Sequence, residues 1–221
     1  MILPLFVTLV GAISSHFASL PEMAGQPRLW LYLMLPNLPL ALLACLALWR
    51  KGRMKERLLP HRGDVFLGVL TAVVVVIATW SGRYLVMPHG SPREAWLARL
   101  YLQLGDPQLL ETARWLPLAL LLGPVLDEIV WRGWIQEILS EKLGPIRGLL
   151  LTSGFYAVTA LPTALNLADP TVGANVLCPL LAIVGGLVWG YATHLSGRAT
   201  PAMISHATFV YFSVMQFRPG L

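Results

Sequence analysis

Apolar residues fall along this chain in runs of about twenty, separated by short polar or basic links, without the strict alternation of half-buried strands. Runs at about residues 1–20, 29–49, 65–80, 115–139, 149–165, 176–195 and 199–217 predict seven membrane-crossing helices. The third and fifth runs are short and the seventh carries polar residues, so the same pattern also accommodates six or eight. Within 81–114, the spacing of Trp96, Leu97, Leu100 and Leu104 predicts a helix lying along the interface. No basic residue precedes the first run, which predicts a retained span rather than a cleaved leader. The fold expectation is all-α: a polytopic membrane helix bundle forming a single membrane domain over residues 1–221.

Composition agrees with a bilayer as solvent. Hydrophobic residues make up 56% and charged residues 12% of the chain, against about 25% charged in soluble domains. The mean hydropathy is +0.66. A soluble fold would need a charged exterior that this chain lacks. The net charge of +5 is a topological signal, because Arg50, Lys51, Arg53, Lys55, Arg57 and Arg62 cluster with no aromatic residue among them. This excludes nucleic acid as the expected partner and leaves the lipid bilayer. The cluster belongs in the cytoplasm, as does the link 142–147, so seven spans place the amino terminus inside and 81–114 outside. Cys45 and Cys178 lie in apolar runs without ligand-spaced neighbours and are expected to be buried thiols. No metal or cofactor is expected.

Charge inside the fourth run carries the candidate chemistry. Gly123-Pro-Val-Leu-Asp-Glu-Ile-Val-Trp-Arg-Gly133 places two carboxylates and an arginine at bilayer depth, where each costs several kcal/mol and so points to function. Glu128 and Arg132, four apart on one helix face, are spaced to pair. Asp127 projects about 100° away and is free to face a cavity as a general base. A polar clamp between helices is the plainer alternative. His206 lies about a turn and a half into the last run, at a similar depth, as an oxyanion donor or as a packing residue. His16 has the same two readings with less support, and His194 sits at a helix end where a cation is favourable.

The order of these residues resembles the CAAX prenyl endopeptidase and bacteriocin-processing (CPBP) family of intramembrane glutamic endopeptidases. The family's first motif, usually Glu-Glu-x-x-x-Arg followed by Gly, reads here Asp127-Glu128-Ile-Val-Trp-Arg132-Gly133. Its third motif places a histidine after a glycine-rich helix, a short basic turn and a proline. Here Gly185-Gly-Leu-Val-Trp-Gly190, Ser196-Gly-Arg198, Pro201 and His206 follow in that order. The resemblance covers a core of about residues 115–215. It implies an endopeptidase needing no metal or cofactor, cutting a membrane-anchored protein or peptide near its carboxyl terminus. It further implies that Asp127 activates water, His206 stabilises the oxyanion, and Glu128 with Arg132 holds the helix. The expected setting is the bacterial inner membrane, multi-pass, with the site facing the cytoplasm. No Gly-x-Ser-x-Gly elbow and no helix-face histidine pair suggests serine or zinc hydrolysis instead.

The chain also departs from the family. Asp127 is one methylene shorter than the usual glutamate, and a displacement of about an ångström costs on the order of a hundredfold. The second motif, Phe-x-x-x-His, has no histidine here. Thr159 takes that place if Phe155 is the aromatic, and Ala160 if Tyr156 is. Val210 stands where the third motif continues to Asn. The alternative is therefore a catalytically impaired family member, a pseudoprotease that acts as a membrane binding or partner module. A transporter would be expected to show two related halves, and no internal symmetry is present.

Overall fold

The computed structural model describes residues 2–215. Gln216 and Phe217, the end of the seventh predicted run, lie outside the described residues. Helix α1 (Ile2–Ala18) is followed by a short 3-10 turn (Pro21–Met23), then α2 (Leu29–Met34), α3 (Asn37–Arg50), α4 (Met54–Leu58) and α5 (Asp64–Val86). Next come α6 (Glu94–Leu104), α7 (Pro107–Leu110), α8 (Leu116–Glu128), a wide π-helical segment (Ile129–Ile135) and α9 (Gln136–Leu143). The chain continues with α10 (Pro145–Val158), α11 (Leu161–Asn166), α12 (Leu177–Ser196) and α13 (Thr200–Met215). Among the described residues there are no strands.

Four stretches are long and apolar enough to cross a bilayer: Leu29–Arg50, Asp64–Val86, Pro145–Asn166 and Leu177–Ser196. Helix α1 is apolar but shorter, at 17 residues. Among the described residues, α8 and α13 are further apolar helices, and α13 packs against α5 and α8 within the same bundle. The outward faces are apolar: Leu42, Leu46, Phe66, Val69, Val73 and Leu118 are exposed. The chain is thus a membrane helix bundle whose lipid-facing surface replaces a charged exterior.

Two differences from the predicted elements have local causes. The third run, read as ending at 80, remains helical to Val86, with the Arg83 guanidinium 5.1 Å from the Tyr84 ring. The helix over 94–104 exists, but it is anchored to the bundle end rather than lying free on lipid. Trp96 is buried with Met87 and Leu177, and the Gln103 side-chain amide donates to the carbonyls of Ala18 and Leu20.

Polar contacts define the two ends. At the basic end, Lys51 pairs with Glu141 at 2.9 Å, Arg57 donates to the Gly197 carbonyl, and Arg198 pairs with Asp64 at 3.1 Å. This ties α3, α5, α9 and the α12–α13 turn together. At the far end, the Asn166 amide reaches His16 and Ser19, buried Asn175 donates to the Trp96 carbonyl, and Arg99 pairs with Asp169 at 3.1 Å.

Hydrogen bonds from the Thr171 hydroxyl and N–H, with Arg99 alongside, hold the Asp169 carboxyl down to about 2 from its ordinary 3.8. A carboxyl lowered by folding contributes stability above its unfolded value and loses it as pH falls through the folded one. In detergent, the melting-temperature difference between the wild type and Asp169→Asn should therefore be full at pH 6. It should shrink as pH falls below about 4. A difference independent of pH would contradict this.

Candidate functional site

The acidic pair lies between two irregularities of one helix. Pro124 sits inside α8, where it removes a backbone donor. Directly after Glu128 the helix widens into the π segment, a feature often found at functional sites. Glu128 and Arg132 are both fully buried, with Arg132 Nε 3.2 Å from Glu128 Oε2. The i,i+4 pairing expected from the sequence is therefore present. The guanidinium also donates to the Gly186 carbonyl on α12 at 3.2 Å and lies 4.7 Å from the centroid of the Tyr156 ring.

The other oxygen of Glu128 has a partner that spacing did not suggest. His206 Nδ1 lies 2.8 Å from Glu128 Oε1. An ionised carboxylate only accepts, so Nδ1 carries the hydrogen in this pair and Nε2 is left for other partners. The imidazole stacks on the Trp189 indole, with centroids 3.8 Å apart and planes 20° apart. The indole N–H donates to Ser205 Oγ at 3.0 Å, which fixes the ring beneath the histidine. One buried carboxylate thus positions both Arg132 and His206.

Asp127 points elsewhere, as the helical angle required, but it is not without partners. Asn37 Nδ2 donates to Oδ1 at 3.1 Å, and the Tyr156 hydroxyl donates to Oδ2 at 3.2 Å. Asn37 opens α3 just after Pro36, where the first half of that pass breaks. The sequence signal for Asn37 was a lone amide beside a proline in an apolar run, and it is legible only in hindsight.

Asp127, Tyr156 and His206 line one cavity of about 360 Å³, and Glu128 does not. The acid facing this space keeps accessible surface while its neighbour is sealed behind it. Tyr156, Thr159 and Ala160 also line the cavity, whereas Phe155 packs against the Val130 and Trp131 cluster. The Thr159 hydroxyl is committed to the Tyr156 carbonyl at 2.6 Å. Of the two second-motif registers, the one with Tyr156 as the aromatic and Ala160 at the histidine position has both residues on the cavity. Val210 lines it as well. His16 is exposed at the far end beside Asn166, and His194 is exposed near the end of α12, so neither reaches the cavity.

The cavity runs from Asp127, Trp131 and His206 at mid-depth to Ser19, Leu167 and Gln103 at the far end. None of Arg53, Arg57, Glu137 or Glu141, at the basic end, lines it. The remaining lining residues lie between that mid-depth floor and the end opposite the basic cluster.

Glycines let the helices close around the buried pair. A Cβ on Gly186 would lie 3.2 Å from Ser153 Cβ and 3.4 Å from Arg132 Nη2. On Gly190 it would lie 3.1 Å from Gln136 Oε1 and from Leu149 Cγ. These are residues of the glycine-rich passage noted in the sequence.

Comparison with known proteins adds one finding. Residues 109–212 match the family model described as type II CAAX prenyl endopeptidase Rce1-like. The matched stretch holds α8, the π segment and the helices carrying Tyr156, Trp189 and His206, and it is consistent with the CPBP resemblance. No curated protein and no solved structure matches the chain.

Removing one member of a buried ion pair strands the other, at a cost of about 3–5 kcal/mol. Arg132→Ala should accordingly abolish monodisperse recovery in detergent or lower the melting temperature sharply. Gly186→Leu should be destabilised by about 1–3 kcal/mol through overpacking. Wild-type thermal stability in Arg132→Ala would show that the pair does not organise the site.

Proposed function

We propose, on the premise of an Rce1-like core in a multi-pass membrane protein, that this chain is an intramembrane endopeptidase acting on a membrane-anchored protein, with Asp127 activating the water. The observation that carries the reading is the division of labour between adjacent acids. Asp127 opens with His206 onto one cavity, while Glu128 and Arg132 are sealed behind it.

In this mechanism a water held by Asp127 gives its proton to the carboxylate as its oxygen attacks the scissile carbonyl carbon. The carbonyl electron pair moves onto oxygen, and the developing oxyanion is stabilised by hydrogen bonds from His206 and the Tyr156 hydroxyl. On collapse the C–N bond breaks, the leaving nitrogen takes the proton from Asp127, and the new carboxyl terminus departs. In this step His206 donates from Nε2 as the imidazolium, with Nδ1 held against Glu128 and the ring stacked on Trp189. Tyr156 supplies a hydroxyl donor beside Asp127 in a passage that lacks the family's second-motif imidazole.

A second reading, the pseudoprotease, is favoured by Ala160 and Val210. Both present apolar atoms to the cavity where the family has an imidazole and an amide.

Cleavage of a co-expressed membrane-anchored reporter discriminates the two. Asp127→Asn and His206→Ala should each abolish cleavage with the protein present in the membrane at wild-type level. Tyr156→Phe should lower the rate by about a hundredfold, the scale of losing one oxyanion donor. Unaltered cleavage in Asp127→Asn would end the catalytic assignment. A partner that co-purifies equally with all three variants, without any cleavage in the wild type, would favour the binding module.

A further inference from the structure

A second cavity, of about 330 Å³, adjoins the one already described and is almost wholly apolar. Its walls come from the last turns of α5, from α6 and from facing stretches of α12 and α13, with Trp30 added from α2. The volume is at the low end of the ~300–1,000 Å³ typical of small-molecule sites, and suits a single acyl chain. Three polar atoms of the lining residues are buried with no hydrogen-bond partner among the described residues: Arg83 Nη1, Thr79 Oγ1 and Trp30 Nε1. Thr79 and Arg83 are four apart and share a face of α5. A buried cation without a partner is costly, so this wall is suited to an anionic acceptor.

Arg83 stands between two spaces of opposite character. With Met87, Leu97 and Tyr101 it also lines a polar cavity of about 500 Å³ that holds His89 and Glu94, both exposed. About 28 Å of helix separates Arg83 from Asp64 at the basic end, against a hydrocarbon core of about 30 Å. The guanidinium therefore lies at headgroup level in the leaflet opposite the basic cluster. Exposed Trp80 and Tyr84 beside it, with rings 5.8 Å apart, are the aromatic side chains expected at such a boundary. Glu94 accepts from the Gly90 N–H at 3.1 Å and meets His89 Nδ1 at 3.2 Å, both at Oε1, which leaves Oε2 for a further donor. Arg93, the other cation nearby, lines neither cavity and donates to the Val86 carbonyl. One cation for a phosphate and one carboxylate for an ammonium thus sit at the polar end of an apolar slot.

We propose that these two cavities bind one phospholipid with a primary-ammonium headgroup, of the phosphatidylethanolamine type. Arg83 and Thr79 receive the phosphate, Glu94 receives the ammonium, and one acyl chain fills the apolar cavity. The second chain lies along the lipid-facing surface at exposed Trp80 and Leu180. A choline headgroup has no N–H to give Glu94, a glycerol headgroup leaves the carboxylate without a cation, and a fatty acid leaves the polar cavity unused. The bound chain touches Trp30, Phe209 and Val210, which line both this cavity and the one holding Asp127 and His206, so the lipid completes a shared wall. Binding of this kind is independent of whether the chain cleaves peptides.

Native mass spectrometry of the full, delipidated chain in detergent provides the test. The chain is offered an equimolar mixture of dioleoyl phosphatidylethanolamine, phosphatidylcholine and phosphatidylglycerol, together with oleic acid. The wild type should retain one ethanolamine lipid per chain, about fivefold above each competitor, the scale of one partly exposed ion pair. Arg83→Gln should lower retention of every phospholipid by about tenfold, the scale of one charge-assisted hydrogen bond. Glu94→Gln, at an exposed position, should keep a phospholipid bound but erase the preference for ethanolamine. Equal retention of all four lipids by the wild type, or unchanged retention of the ethanolamine lipid by Arg83→Gln, would reduce the site to ordinary annular contact and overturn the proposal. Preference for the choline lipid, the glycerol lipid or oleic acid would overturn the headgroup assignment. Should Arg83→Gln not be recovered folded, Glu94→Gln decides, since a wild-type ethanolamine preference in that variant overturns the site.

Discussion

Everything near the site depends on the Glu128 carboxylate being shared. Burying an ionised carboxylate costs several kcal/mol even after relaxation, and the cost is offset only when both oxygens have well-placed partners. Here one oxygen is hydrogen-bonded to His206, from the last pass, and the other is ion-paired at 3.2 Å with Arg132, from the same helical pass, without a hydrogen bond. Arg132 extends the constraint to α12 through the Gly186 carbonyl. A single group thus fixes three passes relative to one another, and the imidazole takes its orientation from the same contact. The glycines of α12 serve this arrangement, since they admit the guanidinium and the neighbouring helix at close range.

The two ends of the bundle are built differently. The basic end is closed by ion pairs centred on Glu137 and Glu141, with Lys51 and Arg53 in reach of both and Arg57 close to Glu137. Its backbone is stitched further where Ala199 donates to the Arg57 carbonyl. The far end is held by neutral amide contacts from Gln103, Asn166 and Asn175, one ion pair apart. Away from Asp127 and His206, the cavity walls towards that end are uncharged. The salt-bridged end, by contrast, forms a closed base behind the sealed pair.

Much of this was legible along the chain because it is local. The apolar runs marked the passes, and four-residue spacing marked the Glu128–Arg132 contact. The helical angle showed that Asp127 faces elsewhere. What stayed hidden joins distant segments: His206 is 78 residues from Glu128, and Asn37 is 90 from Asp127. Periodicity within one helix carries no information about which neighbour it meets. The widened segment after Glu128 was hidden for a different reason, since Ile129–Ile135 has an ordinary apolar composition. The choice between Phe155 and Tyr156 was likewise undecidable from spacing, because adjacent aromatics differ only in which side the packed helix turns inward.

That widened segment has a consequence for how the chain tolerates change in length. A π turn closes its hydrogen bonds over five residues rather than four, and so accommodates one residue more than an α turn between the same flanks. Dropping Ile129, Val130 or Trp131 would let the backbone relax into an ordinary helix with its ends nearly where they were. The fold would absorb the loss, but the guanidinium would no longer stand four positions from its carboxylate. Here an indel almost silent for the scaffold would be fatal for the centre it carries.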